Sequence, residues 1–427
     1  MSLLIFTLAI IVLLFLRIPV AFAFFIPSVV YILAKPDFPL GAVIQQVSIG
    51  LESFVLVVVP MFILMGNLAN AIGATERLFQ FIQSLIGQVR GSLGYVNVWV
   101  GMIFAWMSGV AVADAAALSR IQVPAMQRAG YPFGFSAGLT AASSLMGAIM
   151  PPSLPAVIYA VTAGVSLGAM LLAGILPAVM IALVLSAYVY VWARKRPELR
   201  RPRASVAEIA ATGRSAIPIL LTPVILVGGI LGGIVTPTEA SALAVLYMLL
   251  LAAFYRTVSW RSMFGVFRQT AETTGGVMLI VATSQLAGYI LTLERAPTLV
   301  TELFLGFTDN QFVFLATLNI ILLLAGIFFE LSAMIVVLVA VLAPVSAAYG
   351  VDPVHLGIIL IFNFLIGSVS PPVGLILSVI SSALKAPMSE INKGAWPVLV
   401  PLVICLILIT FVPALSLAIP TALGLVR

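Results

Sequence analysis

SSLMGAIMPPSLP, residues 143–155, returns 220 positions later as NFLIGSVSPPVGL, residues 363–375. Each is an apolar run broken by a glycine and then by a Pro-Pro pair. Proline removes a backbone donor and frees the carbonyl four residues back, so each run reads as a helix interrupted partway along. At the same offset the two halves align without a gap over 54 residues. Pro124 falls on Pro344, Gly130 on Gly350, Leu145 on Leu365, Gly147 on Gly367, Ala163 on Ala383, Gly174 on Gly394 and Pro177 on Pro397. Most matches are Gly and Pro, the residues that set backbone shape. Further upstream the offset shifts slightly, and Ile18-Pro19-Val20-Ala21 lies opposite Thr236-Pro237-Thr238-Glu239.

The chain around these runs has 427 residues, 63% hydrophobic and 8% charged. A soluble domain carries about 25% charged residues, so a chain of this composition is embedded in a membrane along its whole length. Backbone groups in a bilayer are satisfied only within helices or a closed barrel. Runs such as Met170–Trp192 are apolar throughout and lack the period-two alternation of barrel strands. The expected fold is an all-α polytopic membrane protein. MSLLIFTLAIIVLLFL at the N-terminus lacks a basic start and a small-residue cleavage site, so it reads as membrane span rather than signal peptide. The repeat divides the first 34 residues into two short spans meeting at Arg17–Pro19, with the N-terminus outside.

Charge distribution orients the spans. Six of the ten residues from Arg194 to Arg203 are basic, Arg201 among them, which makes this segment cytoplasmic. Outward from it, 169–192 crosses the membrane, and 133–163 crosses in the other direction, broken at Pro151-Pro152. Residues 96–128 are flanked by Arg90 and Arg128 and so start and finish on the cytoplasmic side, as a re-entrant hairpin turning at Ser108-Gly109. In the second half, 215–234 and 238–255 cross to a basic loop holding Arg256, Arg261 and Arg268. Residues 271–293 return to an acidic surface segment, 294–310. A second hairpin, 311–346, turns near Glu330-Leu331-Ser332 on the outside, 354–384 is broken at Pro371-Pro372, and 396–426 ends outside. The expected organisation is a first inverted repeat over 1–193, a basic connector over 194–214 and a second repeat over 215–427. Residues 74–92 carry Leu78, Phe81, Ile82, Leu85, Ile86 and Val89 on one face and read as an amphipathic helix along the inner surface.

Inverted repeats with paired broken helices are a transporter device. Half-helix ends at membrane depth suit ions, with C-terminal ends and unwound carbonyls taking a cation. A first site combines Ser108, Gly109 and Asp114 with Gly147, Pro151 and Ser153, and Ser143 and Ser144 lie one turn earlier. A second combines Gly326, Glu330 and Ser332 with Gly367, Ser370 and Pro371, with Asn363 one turn earlier. Hydroxyl, amide and carboxylate oxygens are hard ligands for a small cation such as sodium. Asp114 and Glu330 are ionisable groups in apolar segments, where such residues usually face a cavity or a partner. Glu239 reads as a helix-start carboxylate and His355, beside Asp352-Pro353, as a surface residue. One cysteine, one histidine and no GxxxxGKS sequence argue against a disulfide, a Cys or His metal cluster and ATP hydrolysis. An intramembrane enzyme with Asp114 and Glu330 as its acid pair is a remote alternative.

The motifs VRGSLGYVNV, SGVAVADAAAL, VPAMQRAGYP, TAASSLMGAIMPPSLPAVIYAVTAGVS, LAGILPA, TPTEASALAVLY, GVDPVHLGIIL, IGSVSPPVGL and FVPALSLAIP resemble the large membrane subunit of the TRAP (tripartite ATP-independent periplasmic) transporters across essentially the whole chain. The resemblance implies an elevator-type importer in a bacterial or archaeal inner membrane. It implies Na+ as coupling ion, with proton coupling as the alternative, and a carboxylated organic solute such as a C4-dicarboxylate or sialic acid. The solute would lie near Ser108, Asp114, Ser143, Ser153 and Asn363. Implied partners are a periplasmic substrate-binding protein and a small four-helix membrane subunit on a separate chain, because no additional N-terminal helices precede the match; no nucleic acid is implied. Departures from the family pattern are Val110 for a second serine, Ala148-Ile149-Met150 for Pro-Ile-Ile, and Glu330 for Asp.

Overall fold

The computed structural model describes residues 3–16, 18–35, 39, 41–196, 198–200 and 202–426. Arg17 and Arg201 lie outside the described residues. Every described element is helical: α1 (Leu3–Phe15), α2 (Val20–Leu33), α3 (Gly41–Ile49), α4 (Val58–Ala71) after a 3-10 turn, and α5 (Ala74–Ile86). Then come α6 (Ser92–Ser108) and α7 (Ala111–Arg128), α8 (Phe133–Ser144) with a 3-10 turn through Ala148, α9 (Leu154–Ala163), α10 (Leu167–Ala173) and α11 (Ile175–Ala193). The second half runs α12 (Val206–Leu231), α13 (Pro237–Tyr255), α14 (Trp260–Leu293), α15 (Ala296–Phe307), α16 (Gln311–Phe328) and α17 (Leu331–Ala348). It ends with α18 (Pro353–Ser368), α19 (Leu375–Leu384), α20 (Met388–Phe411) and α21 (Ala414–Ala422). Among the described residues, eight helical segments are long and apolar enough to cross a membrane.

The helix boundaries echo the sequence offset. α7 and α17 begin at residues 111 and 331 and end at 128 and 348, 220 apart at both ends. α8 with its 3-10 turn and α18 do the same, at 133 and 353 and at 148 and 368. Upstream the halves differ. α14 is one continuous helix of 34 residues, whereas the first half uses two helices, α3 and α4, with a break between them.

Several boundaries depart from the sequence reading. Arg261 and Arg268 belong to α14 rather than to a loop, because Ser259 caps the helix by accepting from Ser262 N–H and Arg268 then pairs with Glu272 one turn on. Residues 206–214 of the basic connector already belong to α12, capped by Ser205. The acidic segment is largely α15, and the last span is two helices divided at Val412-Pro413. His355 is not a surface residue. α20 and α21 fold over the start of α18, leaving it 2% exposed, with its ring nitrogens against Ser416 Oγ and the Thr410 carbonyl. Glu239 takes the helix-start role expected of it, in a reciprocal cap with Thr236. α5 lies as an amphipathic helix, but Leu78 and Ile82 are buried while Leu85 and Val89 remain exposed. It packs on α6 and α12.

The halves interlock. α8 packs along α20, and α17 against α9. The first contact needs glycine: a Cβ on Gly138 would lie 2.1 Å from the Gly394 carbonyl oxygen. Such close backbone approach drives helix association where lipid removes the hydrophobic incentive. α1 and α2 form a separate packing unit on α14 around Phe6, Phe24 and Leu286. At the end of α14, Glu294 accepts from Tyr31 and Lys35, and the Lys35 hydrogen bond holds the Glu294 carboxyl below its usual range.

Candidate functional site

Two helix–turn–helix hairpins, α6–α7 and α16–α17, and two broken helices meet at one cavity, with α6 packed along α7 and α16 packed on α18 rather than on α17. The first hairpin, α6–α7, turns through Gly109, whose φ of +70° is one that glycine adopts at no steric cost. Its tip is stitched to the first break, because the Gly109 carbonyl accepts from Leu154 N–H at 3.0 Å. Side chains are excluded there: a Cβ on Gly109 would lie 2.4 Å from the Pro152 carbonyl oxygen. Ser153 closes the break, donating to the Ala148 carbonyl at 2.5 Å and capping α9 at Ala156 N–H. The Pro151–Pro152 and Pro371–Pro372 bonds are both cis.

Asp114 stands in the first turn of α7 and is fully buried. Neither carboxylate oxygen makes a hydrogen bond of good geometry, and neither does the buried hydroxyl of Ser108, although that hydroxyl stands close enough to act on the Asp114 carboxyl. Both point at Gly147: a Cβ there would lie 2.0 Å from Asp114 Oδ2 and 3.4 Å from Ser108 Oγ. The described ion pairs are Lys35–Glu294 and Arg268–Glu272, and neither involves Asp114. A buried carboxylate left without donor or cation costs several kcal/mol, roughly, in a protein interior. Three orphaned hard oxygens around a side-chain-free position at a helix break fit a small hard cation. Among the described residues no group of three His, Cys, Asp or Glu side chains converges, so the donor set does not suit a transition metal.

In the second half Gly326 and Gly367 cross in direct backbone contact, with a Cβ on Gly367 falling 2.3 Å from the Gly326 carbonyl carbon. Glu330 caps α17, accepting from Ala333 N–H at 3.0 Å. Ser370 donates to the Ile366 carbonyl, and Pro371 follows it in the second break. Between the two hairpin tips and the two breaks lies a cavity of about 50 Å³. Val110, Ala111, Ala148 and Leu154 line one side, and Glu330, Ser332, Phe364 and Ser368 the other.

Of the residues expected near the solute, none lines this cavity. Ser108 and Asp114 face Gly147 instead, and Ser153 is a cap. Ser143 donates to Asn97 Oδ1 at 2.9 Å, and Asn363 to Asn319 Oδ1 at 2.7 Å. These are equivalent helix-to-helix bonds in the two halves, joining α6 to α8 and α16 to α18. The cavity's polar groups are Glu330, Ser332 and Ser368. Sequence reasoning placed Ser368 in the second break but passed over Asn97 and Asn319. A polar amide in an apolar span is itself a signal, and Asn97 and Asn319 stand in matching helices.

The family model of the DctM component of the tripartite ATP-independent periplasmic transporter matches residues 7–415. The chain is 38% identical over 409 residues to the sialic acid TRAP transporter large permease protein SiaM of Vibrio cholerae, covering 96% of each chain. It is 36% identical over 375 residues to the C4-dicarboxylate TRAP transporter large permease protein DctM of Pseudomonas aeruginosa, covering 88% of each. Its fold resembles the crystal structure of the Alcanivorax borkumensis YdaH transporter, with a TM-score of 0.59 at 12% identity over 90% of this chain and 89% of that one. A multi-pass helical protein with paired hairpins and breaks, matched along nearly its full length, is thus a transporter permease rather than an enzyme, and the chain belongs to the DctM family of large TRAP permease subunits.

Proposed function

We propose that this chain is the membrane-crossing subunit of a sodium-coupled importer of a carboxylated organic solute in an inner membrane, with both termini outside. The observation that carries the reading is the trio of orphaned oxygens, Asp114 Oδ1, Asp114 Oδ2 and Ser108 Oγ, aimed at Gly147 beside a broken helix. A bound sodium ion supplies the positive charge that this pocket otherwise lacks. Asp114 neutralises it, Ser108 adds a hydroxyl ligand, and the absence of a side chain at Gly147 leaves the room. Gly326, Glu330, Ser332, Gly367, Ser370 and Pro371 form the corresponding candidate region of the second half.

The solute site is the cavity between the hairpin tips. At about 50 Å³ it is far smaller than a sugar acid or dicarboxylate needs, so the tips separate to admit one. The two halves act as inverted repeats, and the hairpins with their broken helices move as a block against a scaffold that includes α14. The relatives' names speak of sialic acid and C4-dicarboxylates, and carboxylated solutes of this kind are the substrate class. A small membrane subunit and a periplasmic binding protein complete the system.

The test is uptake of radiolabelled succinate or N-acetylneuraminate into liposomes holding the chain and its small partner, with the loaded binding protein outside. An inward sodium gradient at fixed pH drives accumulation, and Asp114→Ala abolishes it. A buried, partnerless carboxylate is satisfied equally by a proton. Uptake driven by a pH gradient in sodium-free buffer therefore replaces sodium by protons at the same residue. Uptake indifferent to both gradients overturns the reading.

A further inference from the structure

Two water-accessible cavities border α7 on a face away from Asp114. The larger, about 760 Å³, separates α7 from α4, α5 and α14, and the smaller, about 320 Å³, separates it from α19. Arg120 lines both. It lies six residues beyond Asp114, about 9 Å along the helix axis and on another side of it. Arg120 is exposed whereas Asp114 is fully buried, so the two do not neutralise each other. Among the described residues no carboxylate forms an ion pair with Arg120.

The larger cavity is lined by apolar and polar residues together. Asn67, Asn70, Ser262 and Gln269 contribute hydrogen-bonding groups, and Glu76 also lines the cavity, its carboxylate accepting from Gln80. An arginine in a membrane-embedded hairpin is costly unless it faces water or an anion. Its planar fork matches a carboxylate in two parallel hydrogen bonds. The volume suits a sugar acid or a dicarboxylate, which the cavity at the hairpin tips does not. Arg77 and Arg261 adjoin the lining residues Glu76 and Ser262 in sequence, and Arg128 ends α7, so the positive-inside rule turns this mouth to the cytoplasm.

We propose that Arg120 is the carboxylate-pairing residue of a solute-release site in this cytoplasmic cavity, where the anion rests between leaving the hairpin tips and entering the cell. The proposal rests on the import of carboxylated solutes argued above. A solute leaving the hairpin tips trades their groups for a guanidinium and amide donors instead of crossing an apolar gap. Arg120 belongs to the exit path and not to the cation pocket.

The experiment places a reporter in the cavity as Ala116→Cys, since the chain's sole native cysteine, Cys405, is buried. Inside-out vesicles are treated with a membrane-impermeant thiol reagent, without a sodium gradient, in the presence of succinate, N-acetylneuraminate or uncharged mannitol. At least one of the two anions slows labelling about fivefold or more and mannitol does not. The protection disappears with Arg120→Gln and returns in part with Arg120→Lys, which keeps the charge and serves as the check that the cavity survives substitution. Protection that persists unchanged in Arg120→Gln, or equal protection by mannitol, or none from either anion, overturns the proposal. No step of this assay needs sodium or the partner chains, so a failure of sodium coupling in uptake and a failure here are separate results.

Discussion

The two hairpin–break pairs are built on one template and end in different chemistry. Around the first, every residue from Phe135 to Ala160 is buried, Pro151 and Pro152 included. Around the second, Pro372 and Val373 are exposed, Val373 by 48%. The carboxylates are not equivalent either. At the repeat spacing Asp114 falls on Met334, and Glu330 on Val110. Asp114 sits inside the first turn of α7 with both oxygens orphaned, whereas Glu330 sits at the cap position of α17 and spends an oxygen on Ala333 N–H. A shared backbone shape thus carries one sealed anionic pocket and one open, partly satisfied one. The sealed pocket has the greater need of a cation, because its charge has no other compensation.

The sharpest way to break this contrast is Asp114→Asn, which keeps the shape and removes the charge. Sodium-driven uptake at limiting sodium should fall by about 100-fold or more, the scale of removing one partner from a buried charge pair. Thermal stability of the apo protein should hold or rise, because a buried acid that needs a proton or a cation is gone. Gly147→Ala comes next. Its Cβ would lie 2.0 Å from Asp114 Oδ2, so the carboxylate must turn away, and the sodium concentration for half-maximal uptake should rise about tenfold for a loss of one good ligand. Glu330→Gln should do less. The amide oxygen still accepts from Ala333 N–H, and the expected change is about threefold in solute KM, within the roughly 0.5–2 kcal/mol span of cap substitutions. An effect of Glu330→Gln as large as that of Asp114→Asn would erase the asymmetry. Smallest is Asn97→Ala, which removes the α6–α8 bridge to Ser143 and Thr140. Thermal denaturation in detergent should register about 0.6–1.7 kcal/mol, the range for hydrogen bonds between membrane helices, with sodium affinity unchanged.

Much of this architecture is legible in the chain itself. The hairpin turn at Ser108-Gly109, the breaks at both Pro-Pro pairs and the constant spacing of α7 with α17 follow from glycine, proline and apolar runs, which act within a few residues of themselves. Asp114 stands out because a charge in an apolar segment is costly wherever the segment goes. The partners of Ser143 and Asn363 were not legible, since a hydroxyl or amide on a buried helix serves a ligand or a neighbouring helix equally well until the neighbour is known. His355 misled for the same reason, as its partners come from residues 410 and 416, more than fifty positions away.

Sequence alone therefore determined the membrane-embedded helical class, the paired breaks and the family, because composition and backbone-shaping residues express themselves locally. Only the tertiary structure decided that Asp114 and Ser108 face Gly147 rather than the cavity between the hairpin tips, and that the first break is sealed while the second is open. It also decided that Arg120 lines two cavities beside α7. Which oxygens meet in one pocket depends on how α6, α7 and α8 cross. That crossing is set by glycine contacts and helix-to-helix hydrogen bonds between segments far apart in the chain.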